Sequence, residues 1–206
     1  MTTAHARSAR AQWRVCPLTG GLPGALALLL ALAGLRAFAA PSLLSPPSAS
    51  AYTSALREPV TPPPLLIPVL GVTASALRDN FVDAREGNTR VHEAIDITAP
   101  SGTPVLAADD GRIVKLFLSR RGGITIYQFD TRARLAYYYA HLERYADGLA
   151  EGQVITRGTV IGYVGSTGNA GPDSPHLHFA VIRLRPERHW WEGEAINPFP
   201  YLGGTR

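Results

Sequence analysis

The chain has 206 residues, with 20 Lys and Arg against 16 Asp and Glu, one cysteine and six histidines. That length accommodates one domain plus extensions. The net charge of +4 carries no nucleic-acid signal, because Arg7, Arg10, Arg14 and Arg36 all precede the first acid, Glu58, leaving residues 40–206 balanced at 16 charges of each sign.

Residues 1–39 read as a secretory signal peptide. Arg7, Arg10 and Arg14 form a positive, acid-free start, residues 22–35 are apolar, and Ala37-Phe38-Ala39 is a small-x-small cleavage pattern. Cleavage after Ala39 is expected, placing the mature protein in the periplasm or outside the cell. A retained membrane anchor is the alternative, but spanning takes roughly 20 apolar residues and Arg36 closes this run early. Stable membrane insertion after cleavage is not expected. Cys16 lies upstream of the apolar run, so the mature chain has no cysteine, which excludes thiolate zinc sites and cysteine catalysis.

Residues 40–64 hold seven prolines among Ser, Ala and Thr, the composition of an extended spacer. Residues 65–203 then read as one all-β domain. An Asp109-Asp110-Gly111 turn separates strand candidates at 105–108 and 113–118. Further candidates lie at 124–129, 135–141, 154–155, 160–164 and 176–183. Glycines at 152, 158, 162, 165 and 168 punctuate the later part. Helix is confined to a turn or two at 75–81 and 142–149. Short strands with brief turns leave no room for parallel crossovers, so compact antiparallel sheet is expected.

Four of the six histidines fall in three short clusters: His92 with Asp96, His141 in Tyr139-Ala140-His141-Leu142, and His176 with His178. On a strand, residues two apart point the same way. His176 and His178 would therefore project together while Leu177 and Phe179 enter the core. His92 and Asp96, four apart, share a face on a helical turn and also on an extended segment. Two imidazoles and a carboxylate make a donor set that Zn²⁺ accepts, with room for water. His141 ends a strand of three tyrosines and could face the same pocket.

Each piece alone has a plainer reading. His-x-x-x-Asp recurs by chance, and a lone His-x-His is more often a surface pair. Tyr137, Tyr138 and Tyr139 suit packing on strands. The Gly-rich run 162–171 lacks the Gly-Lys-Ser/Thr ending and following helix of a phosphate loop. His189-Trp190-Trp191 suits a surface or sheet-edge segment.

Taken in order, the pieces resemble a known family. His-x-x-x-Asp is followed by Gly-Thr-Pro-Val-x-Ala-x-x-x-Gly (102–111), Tyr-Ala-His-Leu (139–142), a Gly-Gln-Val to Ile-Gly-Tyr-Val-Gly-Ser-Thr-Gly stretch (152–168) and His-Leu-His-Phe (176–179). This series is similar to the lysostaphin/LytM-type zinc metallopeptidases, peptidase family M23, and runs from about residue 68 to 202. The resemblance implies a compact antiparallel β-domain with an active-site groove. It implies an endopeptidase acting on peptidoglycan peptides, with His92, Asp96 and His178 as zinc ligands and His141 and His176 as non-ligand catalytic histidines. Three positions depart from the family pattern: Ala94 and Ser174 stand where glycine is usual, and Ala180 where glutamate often follows. None removes a candidate ligand or acid/base group.

Two rival readings remain distinguishable. Some relatives have lost ligands and act as non-enzymatic regulators of cell-wall amidases, whereas all five residues are present here. A biotinyl- or lipoyl-type carrier shares the glycine pattern of 152–165, but needs a lysine on an exposed turn. Lys115, the only lysine, lies in an apolar strand candidate. The arginine-rich composition and the spacer suggest a GC-rich bacterium, and a domain that binds through its own groove fits a thin wall within the spacer's reach, so cleavage of cross-links between D-alanine and a diamino acid, rather than of glycine bridges, is expected.

Overall fold

The structure, a computed structural model, describes residues 60–85 and 87–203. The expected signal peptide and most of the spacer lie outside the described residues. At the spacer's end, Val60 packs against the core, Pro62 is buried, and the Pro64 carbonyl accepts a hydrogen bond from Arg157 (2.6 Å). No described helix is long and apolar enough to cross a membrane.

The described chain is antiparallel β-structure. A two-stranded sheet of β1 (Ala84–Arg85) and β2 (Arg90–Val91) stands apart from the main sheet. The main sheet has nine strands: β3 (Ile95–Thr98), β4 (Pro104–Leu106), β5 (Gly111–Ser119), β6 (Gly123–Asp130), β7 (Leu135–Tyr145), β8 (Val154–Ile155), β9 (Val160–Val164), β10 (His176–Leu184) and β11 (Gly193–Ile196). Its principal order is β11-β10-β7-β6-β5-β8. The first half of β10 pairs with β3 and the second half with β11, while its other edge pairs with β7. The far half of β7 leaves that arrangement and pairs with β9, which pairs with β4.

Strand alternation sorts the two faces. Ile95 and Ile97 of β3, Tyr137 and Tyr139 of β7, and Leu177, Phe179 and Val181 of β10 are buried and form the core. Burying each large side chain contributes roughly 1.5–3 kcal/mol. The polar tip of Tyr139 is satisfied inside: its hydroxyl donates to Gln128 Oε1 (2.8 Å) and accepts from the Ala108 amide (2.9 Å). The opposite face of the same strands carries His176, His178 and Tyr138.

Three local expectations need correction. Residues 142–145 continue β7 rather than forming helix, because Leu142 is buried on the core face and this segment pairs with β9. The candidate helix at 75–81 is a 3₁₀ turn at Ala74–Ala76 only. The Asp109-Asp110-Gly111 turn does not close a hairpin: β4 pairs with β9, whereas β5 pairs with β6 and β8. Gly111 is needed for close approach, since a Cβ there would collide with the Phe129 carbonyl. The polar turn before β7 does form as expected, with Asp130 Oδ1 accepting from the Arg134 and Leu135 amides at 2.7 Å each.

Candidate metal centre and catalytic cleft

His178 sits on β10 opposite Asp96 of β3 on one side and Ala140 of β7 on the other. His92 enters from the turn after β2. This segment is neither a helical turn nor a plain strand: Glu93 takes a left-handed φ of 59° and Ala94 is fully buried. A small residue fits there, so the alanine in place of glycine is accommodated.

His92 Nε2 lies 3.0 Å from His178 Nδ1 and 3.0 Å from Asp96 Oδ1, and His178 Nδ1 lies 3.2 Å from Asp96 Oδ1. His92, Asp96 and His178 are a group that could hold a metal ion. Zinc bonds of roughly 2.0–2.1 Å give a tetrahedral ligand–ligand edge of roughly 3.3–3.4 Å, so this triangle is only a few tenths of an ångström tighter than such a site needs. The donor chemistry also fits a cation. His92 Nδ1 donates to the Asn80 carbonyl (3.0 Å), which leaves a lone pair on Nε2 of the neutral ring facing a carboxylate oxygen. One N–H on His178 cannot satisfy all three close pairs, whereas a cation can.

The surroundings hold the donors in place. Asn80 serves two of them, since its side-chain oxygen also accepts from the Asp96 amide (3.2 Å). Arg85 donates to Asp96 Oδ2 (2.5 Å), leaving Oδ1 for the site. Burial pushes the Asp96 carboxyl up, but its contacts with His178 and His92 outweigh this and hold it well below the usual carboxylate range. Burial also pushes the His178 imidazole down, favouring its neutral, ligating form.

His141 and His176 stand beside this triangle. His141 Nδ1 donates to the Thr167 carbonyl and His176 Nδ1 to the Ser174 carbonyl, each at 2.8 Å. In the neutral rings Nε2 is then the free base. The two rings are 4.9 Å apart, and His176 Nε2 lies 3.7 Å from Asp96 Oδ1. Burial pushes His141 down to about 4, so it is unprotonated at neutral pH. Simple alternation would send His141 to the core face with Tyr139. Its left-handed φ of 61°, at a bulge where the β6 register shifts between Tyr139 and Leu142, turns it to the cleft instead.

All five candidate residues therefore converge on one cleft of about 510 Å³. Sequence reasoning did not identify Asn80, Arg85 or the two carbonyls that fix the His141 and His176 tautomers. It also grouped Tyr138 with the core, whereas this ring lines the cleft 5.9 Å from His178. The period-2 rule, applied to Tyr137-Tyr138-Tyr139, carries that signal. The cleft continues past His178 along Ala180 and Ile182 to the exposed Trp191. Trp190 packs on Tyr127 (4.8 Å) and Phe117 (5.4 Å), so His189-Trp190-Trp191 lies across the site face of the sheet.

The profile described as Peptidase family M23 matches residues 90–198, just over half of the chain. An L-Ala--D-Glu endopeptidase of Bacillus subtilis is 35% identical over 136 residues, covering 63% of this chain and 40% of that protein. The DD-carboxypeptidase/endopeptidase Mpg of Neisseria meningitidis is 44% identical over 110 residues, covering 53% of this chain and 22% of that protein. The chain thus spans less than half the length of these curated relatives. The catalytic domain of lysostaphin from Staphylococcus simulans superimposes with a TM-score of 0.53 at 28% identity, covering 62% of this chain and 92% of that one. With the ordered motifs, the antiparallel fold and the profile match in agreement, this chain belongs to peptidase family M23.

Proposed function

We propose that the protein is a zinc-dependent endopeptidase that cleaves peptide cross-links of bacterial peptidoglycan. The observation that carries this reading is the convergence of His92 Nε2, Asp96 Oδ1 and His178 Nδ1 within 3.0–3.2 Å of one another, with two further imidazoles beside them. His92, Asp96 and His178 would hold the ion. When bound, zinc supplies a Lewis acid that polarises the scissile carbonyl and acidifies water toward a pKa of about 7.

The chain's own groups supply the proton handling. Nε2 of His141 or His176 takes the proton of the attacking water as a C–O bond forms at the carbonyl carbon. The same imidazoles then return a proton to the amine nitrogen as the C–N bond breaks. Nδ1–H donation to the Thr167 and Ser174 carbonyls keeps both rings in the tautomer this requires. Once protonated at Nε2, His176 would also donate to developing negative charge on oxygen.

The two relatives described above, of Bacillus subtilis and Neisseria meningitidis, are named for bonds that involve D-amino acids. Such bonds are the chemistry of peptidoglycan stems and cross-links, and on this reading the bond cut joins D-alanine to a diamino acid. Incubation of the zinc-loaded protein with purified cross-linked muropeptide dimers should yield monomers, and a chelator should stop it. Intact dimers beside cut pentaglycine would reject the substrate, and no cleavage of either by zinc-loaded protein would reject the enzyme. Export is proposed through residues 1–39, for which the mature N-terminus should be Ala40.

A further inference from the structure

The cleft does not end at the proposed metal centre. A second groove, of about 670 Å³, shares His92 and His178 with it and follows β10 through Ala180 and Ile182 to Leu184. Along the strand, His178 to Leu184 is about 20 Å. Four residues of extended peptide span only about 13–14 Å. The groove is therefore longer than a peptidoglycan stem running from its sugar to a scissile bond after the fourth residue. Its far part falls where such a stem meets the sugar.

That far part carries Trp191. It stands two residues before Gly193, the β11 residue that pairs with Leu184, and it lines the groove while 60% exposed. A lone exposed aromatic is common on protein surfaces. This one is held in place. Its ring stacks on His189 at 4.6 Å and 6°, and meets Trp190 edge-on at 5.2 Å. Trp190 in turn packs on Tyr127 and Phe117 of the main sheet. The indole is thus ordered yet open to water, which suits a rigid contact surface for a ligand.

Charge on the groove wall cancels, with Glu93 and Glu194 against Arg183 and Arg185. Arg183 donates to Glu194 (2.7 Å), and Arg185 donates to Glu192 (2.6 Å), the neighbour of Trp191. Groups paired in this way recruit no ion, but their remaining oxygens and N–H groups can bond hydroxyls and amides. An aromatic ring among compensated polar side chains matches a neutral sugar, which presents C–H bonds on its face and hydroxyls at its rim.

We propose that Trp191 is a sugar-stacking residue that binds an N-acetylated hexose of the glycan strand bearing the peptide to be cut. The enzyme on this account grips its substrate at two places, the peptide over His178 and the glycan at Trp191. This inference rests on the endopeptidase reading above.

The test uses the full zinc-loaded protein and two cross-linked dimers of identical peptide, one carrying its disaccharides and the other bearing N-acetyl caps in their place. Wild type should favour the sugar-bearing dimer by about 10-fold in kcat/KM, expressed mainly in KM, as expected of one good aromatic contact. In Trp191→Ala the ratio should fall toward one through a higher KM for the sugar-bearing dimer, and Trp191→Tyr should recover part of it. Val154→Ala, which trims a similarly exposed apolar side chain on β8, should keep the wild-type ratio. Equal cleavage of the two dimers by wild type, or an unchanged ratio in Trp191→Ala, overturns the proposal. An equal loss on both dimers in Trp191→Ala also overturns it, by placing Trp191 against the peptide instead. Cleavage of neither dimer by the zinc-loaded wild type overturns the endopeptidase reading itself, and the proposal with it.

Discussion

The left-handed backbone at His141 allows fold and chemistry to be tested at one position. Replacing His141 by alanine or by glycine removes the imidazole in both cases, so the lost bond to the Thr167 carbonyl cancels between the two variants. What differs is the backbone. At φ 61° an L-residue costs roughly 1–2 kcal/mol relative to glycine. Glycine in turn loses about 0.5–1 kcal/mol of chain entropy on ordering. The balance predicts that His141→Gly is more stable than His141→Ala by about 0.5–1 kcal/mol, or about 2 °C in Tm for a domain of this size. In an ordinary strand position the order is reversed, with alanine the better residue. Urea and thermal denaturation of the two metal-free variants measure the difference, and muropeptide turnover of the zinc-loaded proteins supplies the second readout. Both variants should retain zinc and lose turnover by a factor on the order of 10²–10⁴. Equal stability, or alanine above glycine, would refute a bulge that imposes this backbone on its occupant. Wild-type turnover in either variant would remove His141 from proton transfer.

Asp96→Ala and His178→Ala are each expected to abolish zinc retention and activity together, and elemental analysis at one zinc per chain in either variant would remove that residue from the ligand set. His176→Ala should keep its zinc while turnover falls by a factor on the order of 10²–10⁴, and loss of the metal would reassign it as a ligand. Burial pushes the hydroxyls of Tyr137, Tyr138 and Tyr139 up, so their folded pKa values exceed the unfolded value. The stability tied to their neutral forms is complete below about pH 10 and is lost as pH rises above it. Alkaline unfolding should therefore release these phenols for ionisation together, as read by ultraviolet difference absorbance against circular dichroism, and their ionisation in a still-folded protein would contradict the burial.

Much of the sheet was legible because turn residues and alternation coincide. The candidates at 154–155 and 160–164 match β8 and β9, and those for β5, β6 and β10 end within two residues of the observed strands. The two-residue strands β1 and β2 and the four-residue β3 and β11 are too short to show a period. The 142–145 segment was misread because its polar residues, Glu143 and Arg144, follow a change of face that only the bulge explains. Within the site, the candidate donors and bases are histidines and an aspartate with characteristic spacing, so they announce themselves. Their supports do not: Asn80 acts through a carbonyl and Arg85 through a pairing eleven residues distant, and neither leaves a local pattern. Tyr138 shows the opposite failure, since its direction follows from period 2 once the neighbouring tyrosines are assigned to the core.

The separateness of the β1–β2 sheet has a further bearing on how the protein would behave in a zinc-poor setting. A pair of two-residue strands is marginal by itself. Yet this pair leads directly to His92, while Asp96 and His178 belong to the well-packed main sheet. On the ligand assignment proposed here, the ion fastens the weakest described element to the strongest. Binding free energy and local order then become one quantity, so that chelation would free residues around 80–93 for hydrogen exchange and proteolysis well before the sheet yields. The protein would report its own metal status by exposing a cleavable segment, and an unloaded copy would be easier to remove than a loaded one.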